Sequence, residues 1–118
     1  MDRWIYNRLY SKCPHFEGLT ALDLGCGEGF NAVGLAKLGV NVTAVDRQTA
    51  MIEKTQQIAD KEKVTVVTEV AKIQDFQPNT KYDIVLFTHV LHFIPSENRE
   101  NVVQKAIDSV KAGGALVF

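Results

Sequence analysis

The segment Asp23-Leu24-Gly25-Cys26-Gly27-Glu28-Gly29 constrains this chain most, because three glycines alternate directly after an apolar run and directly before a helical pattern. Without Cβ atoms the backbone turns sharply there and lets another group approach closely. A strand, a glycine turn and a helix in that order open a βαβ unit. The rest of the chain repeats the alternation. Leu19 to Leu24 reads as a first strand and Phe30 to Leu38 as a helix, with Phe30, Val33 and Ala36 on a broad apolar face and Gly39 as its stop. Val40 to Val45 reads as a second strand, apolar on both faces as buried parallel strands are.

Met51, Thr55, Ile58 and Ala59 place a helical stripe on the next segment, and Val64 to Val67 reads as a third strand. Tyr82 to Phe87 is a fourth. Ser96 is placed to cap a helix in which Val103, Ala106, Ile107 and Val110 recur at helical spacing. Gly113-Gly114 then predicts a turn, and Ala115 to Phe118 a fifth strand. Strands alternating with helices predict an α/β doubly wound parallel sheet in three layers. Ligands of such sheets bind at the carboxyl ends of the strands, beside the first one, where the glycines lie.

Composition narrows the partners. A length of 118 residues with 46% hydrophobic and 23% charged residues fits one folded domain over 1–118. A net charge of -1 provides no basic surplus, which argues against nucleic acid as the main partner. No apolar run is long enough to span a bilayer, and the first residues show no secretory pattern. Cys13 and Cys26 make no disulfide framework, so a reduced, cytoplasmic setting is expected.

The glycine loop has its own discrimination. A dinucleotide fingerprint wants its third glycine at position 30, where this chain has the bulky Phe30. That weighs against a nicotinamide-dependent oxidoreductase. The amides at the helix start favour a carboxylate or phosphate. Asp46 closes the second strand at the spacing at which an acid accepts hydrogen bonds from both hydroxyls of a ribose.

These features together carry a resemblance. Leu22 to Gly29 resembles the first motif of class I S-adenosylmethionine-dependent methyltransferases, and Val45-Asp46-Arg47-Gln48-Thr49-Ala50-Met51 resembles their second. Tyr82-Asp83-Ile84-Val85-Leu86 with Val90-Leu91-His92-Phe93-Ile94 resembles the fourth strand and the helix after it, and Lys111-Ala112-Gly113-Gly114 the turn before strand five. Within that family the pattern Thr88-x-Val90-Leu91-x-Phe93 is most similar to tellurite-resistance-type enzymes acting on small molecules.

The resemblance implies a Rossmann-like fold, S-adenosylmethionine as cofactor and a small-molecule methyl acceptor. It places Asp23, Gly25, Cys26 and Gly27 near the methionine part, Asp46 on the ribose, and Arg47 and Met51 against the adenine. Glu69, with the amides of Val70 and Ala71, is expected at the adenine amino group, and Thr88 beside the methionine or the methyl. It also implies a sheet lacking the family's last strands, with an exposed edge that a homodimer would cover. A cofactor-binding module without turnover is the alternative.

Methyl transfer from a sulfonium needs positioning more than covalent help; holding the acceptor in line supplies up to ~7–11 kcal/mol. No catalytic triad is expected. His89 and His92 are the candidate bases, against a packed or solvent-facing role for each. Their spacing with the cysteines builds no convincing metal site. Trp4, Tyr6 and Tyr10, within residues 1–18, read either as an aromatic lid over the cofactor or as a helix packed on the sheet edge.

Overall fold

The computed structural model describes residues 1–12, 15–88 and 94–118. Five parallel strands form one sheet in the order β3-β2-β1-β4-β5. They are β1 (Thr20–Leu24), β2 (Asn41–Asp46), β3 (Val67–Val70), β4 (Tyr82–Leu86) and β5 (Val110–Val117). Among the described residues four helices flank them: α1 (Arg3–Lys12) precedes β1, and α2 (Phe30–Lys37), α3 (Thr49–Lys61) and α4 (Ser96–Asp108) connect β1 to β2, β2 to β3 and β4 to β5. None is long and apolar enough to cross a membrane.

β1 is central because its side chains suit a strand covered on both faces. Ala21 and Leu22 are fully buried yet belong to opposite cores, as successive strand residues must. One core joins Ala21, Ala44 and Ile84 to Ile5 and Leu9 of α1, Leu35 of α2 and Ala59 of α3. The other joins Leu22, Val45 and Val85 to Val102 and Ala106 of α4 and to Ile73 and Phe76. Helices on both faces make the three layers. The sheet direction of travel reverses between β2 and β4, either side of β1, and this switch point opens the crevice at the strands' carboxyl ends.

The structure corrects several boundaries. β3 pairs from Val67 to Val70 rather than over 64–67. α3 runs to Lys61, and Lys63 then turns the chain with φ 59, so Val64 and buried Val66 pack as a connector before pairing starts. The apolar run and the ladder are therefore offset.

Gly113-Gly114 lies inside β5. The register jumps from Tyr82↔Val110 to Ile84↔Ala115, so the expected turn is a bulge in the strand. Ser96 is the first helical residue of α4, and the cap position belongs to Pro95, with no side-chain cap bond. The buried stripe of α4 is Val102 and Ala106; Ile107 is exposed and Val110 already belongs to β5. In α3 Ile52, Thr55 and Ala59 are buried, so Met51 lies off the stripe and is free to face the crevice. Phe30 stands 57% exposed at the start of α2 rather than in its apolar face.

Candidate functional site

The crevice holds a cavity of about 380 Å³ lined from several strand ends. One wall is the glycine loop with the end of β2: Gly25, Cys26, Gly27, Asp46, Arg47 and Met51. Ile73, Gln74, Thr88 and Ile94 form the opposite side.

The first wall is held by its own backbone. Gly25 and Cys26 both donate to the Val45 carbonyl, at 2.7 and 2.9 Å, and Gly29 donates to Cys26 at 3.1 Å. The Asp46 carboxylate completes it: Gly27 donates to Oδ2 and Gln48 to Oδ1, each at 2.9 Å. These glycine-loop amides thus serve the protein itself. The N–H groups left for a ligand are those of the first turn of α2, where hydrogen bonding begins with Val33 to Gly29.

Gly29 shows why the third glycine is needed. Its φ is 90, and a Cβ there would lie 2.7 Å from Cγ2 of Thr55. Thr55 is fully buried and its hydroxyl reaches the carbonyls of Met51 at 2.9 Å and Gly27 at 3.3 Å. A side chain at 29 would meet both a strained backbone and a fixed neighbour.

Electrostatics separates the acids. Asp23 is 3% exposed, and burial first, with the Asp46 charge second, raises its pKa to about 7. No described residue donates a hydrogen bond to its carboxylate. A buried carboxyl of this kind favours a cationic group brought next to it. Cys26 is pushed up to about 12 by burial and by the Asp23 charge, so its thiol stays protonated and is no nucleophile.

The structure gathers Gly25, Cys26, Gly27, Asp46, Arg47, Met51 and Thr88 around the cavity, with Asp23 buried behind the loop in β1. It does not bring Glu69, Val70 or Ala71 to the lining. All three follow the corrected position of β3: Glu69 and Val70 are strand residues opposite Val45 and Asp46, and the Ala71 amide donates to the Asp46 carbonyl at 3.0 Å. The lining after β3 comes from Ile73 and Gln74 instead.

Sequence reasoning missed those two, and also Asn31, Gln48 and Ile94. Gln48 was within reach, two residues beyond Asp46 where an Asx turn forms. The others carry no local signal. His89 and His92 lie outside the described residues. Trp4, Tyr6 and Tyr10 do not line the cavity. α1 buries Ile5 and Leu9 in the core, and Tyr6 stacks on Tyr10 and Phe16, each at 5.8 Å. Among the described residues no group of three or more His, Cys, Asp or Glu could hold a metal ion.

Comparison with known proteins meets this geometry. The chain is 28% identical over 115 residues to the ubiquinone biosynthesis O-methyltransferase of Rickettsia canadensis (strain McKiel), covering 98% of this chain and 48% of that one. It is 29% identical over 93 residues to a "Probable S-adenosyl-L-methionine-dependent methyltransferase TehB" of Haemophilus influenzae (strain 10810), covering 79% of this chain and 32% of the relative. The crystal structure of TehB from Haemophilus influenzae superposes with TM-score 0.87 at 24% identity, over 98% of this chain and 39% of that one, which establishes the shared fold. The chain therefore spans about half the length, or less, of the curated relatives it matches. A family model described as a methyltransferase domain matches residues 21–114, most of the sheet and the whole glycine loop. The chain belongs to the methyltransferase-domain family.

Proposed function

We propose that this chain binds S-adenosylmethionine in the crevice and transfers its methyl group to a small-molecule acceptor. One observation carries the reading: a loop-fixing Asp46 lines the cavity, and a buried Asp23 lies in β1 directly before the glycine loop. Asp23 suits the cationic ammonium of an amino acid. Asp46 keeps a lone pair on each oxygen after serving Gly27 and Gln48, and two such acceptors suit the two hydroxyls of a ribose. Arg47 and Met51 then flank the base, and Thr88 faces the other end of the ligand.

The bound sulfonium would supply an already activated methyl group. What remains for the protein is orientation and exclusion of water. A protonated Cys26 adds no competing nucleophile. His89 and His92 are the proposed bases for an acceptor that must lose a proton.

Calorimetric titration with S-adenosylmethionine and S-adenosylhomocysteine tests the reading; binding of neither at millimolar concentration would end it. A methylation assay separates transfer from binding alone, which is the second reading. A homodimer across the sheet edge at β5, the outermost strand beside β4, belongs to the same proposal. Elution as a monomer at all concentrations in size-exclusion chromatography would count against it.

A further inference from the structure

The wall opposite the glycine loop has no ladder to hold it. Ile73 and Gln74 lie in a short turn after β3, closed by Asp75 donating to Lys72 at 3.0 Å and Phe76 to Lys72 at 3.0 Å. Three carbonyls of this turn converge on one side chain. Lys105 Nζ, from the last turn of α4, donates to Ile73 at 3.0 Å, Gln74 at 3.0 Å and Phe76 at 2.6 Å. An ammonium has three N–H donors, so this geometry uses all of them on one turn. Beside it, Ile73 and Phe76 pack into the core that Val102 and Ala106 of α4 also fill. α4 itself contributes nothing to the cavity lining.

We infer that Lys105 is a positioning residue for ligand binding: by gripping three carbonyls of the 73–76 turn it places Ile73 and Gln74 against the bound cofactor. This rests on the proposed function for the identity of the ligand. The turn leaves β3 and packs against the β4 region, with Ile73 and Phe76 beside Tyr82, Val85 and Phe87, so that Ile73 and Gln74 reach the cavity lining. Lys105 does not itself line the cavity; it acts through the turn. Burial drives its pKa down while the nearby Asp75 charge opposes the shift, consistent with an ammonium held among carbonyls.

The test uses the whole chain with Lys105→Met, Lys105→Arg and, should Lys105→Met not fold, Lys105→Gln. Amide hydrogen exchange is followed on the ligand-free protein, and S-adenosylhomocysteine is titrated calorimetrically. In Lys105→Met the Asp75 and Phe76 amides should lose protection while those of Gly25 and Gly27 keep theirs. The dissociation constant should rise about tenfold or more, because hydrogen bonds to a charged group are lost. Lys105→Arg, which retains several donors, should stay within about threefold of wild type. Asp83→Asn is the control for general weakening: Asp83 ties Thr20 and Lys111 at the opposite end of the sheet, so it should lower stability without moving the dissociation constant.

A Lys105→Met protein that binds within about twofold of wild type overturns the inference. So does one in which the Phe76 and Gly27 amides lose protection together, since that is general loosening. If wild type itself does not bind S-adenosylhomocysteine, the proposed function fails, and the exchange data alone decide whether Lys105 holds the turn.

Discussion

The two walls of the crevice are built by different physics. The glycine-loop wall is held by backbone bonds from Gly25 and Cys26 to Val45, across the β1–β2 pair, and by Asp46, the last residue of β2, which accepts from Gly27 and Gln48. The opposite wall is a turn held by a lysine 29 to 32 residues away in sequence. Ile94, on the same side, has its carbonyl held at 3.0 Å by Arg99 of α4. A wall whose turn requires glycines and whose clamp requires a carboxylate announces itself as a motif. A wall gripped through its main-chain carbonyls leaves no pattern at the turn itself, because any residue type offers those carbonyls.

Experiments on the first wall should have the larger effects. Asp23→Asn is expected to remove binding of S-adenosylmethionine while raising the stability of the ligand-free protein at neutral pH. The sign follows from the raised pKa: between about pH 4 and 7 the unfolded chain has released this proton and the folded chain still holds it, so wild-type stability falls as pH rises. The fall amounts to about 4 kcal/mol at most. The variant should lose that slope in thermal melts from pH 4 to 8. In wild type, affinity for the cofactor should increase with pH up to about 7, as the ionised carboxyl becomes available to the ammonium. A variant that melts below wild type at pH 8 would refute the account of Asp23.

Gly29→Ala comes next. Backbone strain together with the clash against Thr55 should cost about 2–4 kcal/mol in denaturant unfolding. A loss under about 0.5 kcal/mol would show that the loop relaxes freely and is not the rigid wall described.

Asp46→Ala should weaken binding about a hundredfold, through loss of the ligand's hydroxyl acceptors and loosening of Gly27. Glu69→Ala, on a strand residue away from the lining, should change it by less than about twofold. Equal effects in paired titrations would break the distinction between the Asp46 wall and the β3 strand. A small change is also expected from Gln74→Ala, about threefold or less, because that wall is fixed through main-chain carbonyls rather than this side chain. A large loss from Gln74→Ala would show a direct ligand contact and sharpen the map of the second wall.

Much of the fold was legible in the chain. The alternation of strand and helix, the central buried strand and the switch point beside it all follow from period and apolar content. The errors share one cause. Val64 and Val66 are apolar because they pack under the sheet, not because they pair, and Gly113-Gly114 sits in a strand because a bulge accommodates it. Hydrophobicity reports burial, and pairing register is decided between strands. That Glu69 and Val70 pair in β3 while Ile73 and Gln74 reach the lining follows directly, since a residue's place relative to the cavity depends on where the strand before it ends.

What the sequence determined by itself is the glycine turn, Asp46 at its strand end and the α/β layering, all set by residue types acting on their own neighbours. Only the tertiary structure decided that the loop amides are bonded to Val45, Asp46 and Cys26, that Asp23 is buried with its pKa raised, and that Ile73 and Gln74 rather than Glu69 line the cavity. Each of these depends on which distant groups share a small volume, and that is settled by packing across the sheet rather than along the chain.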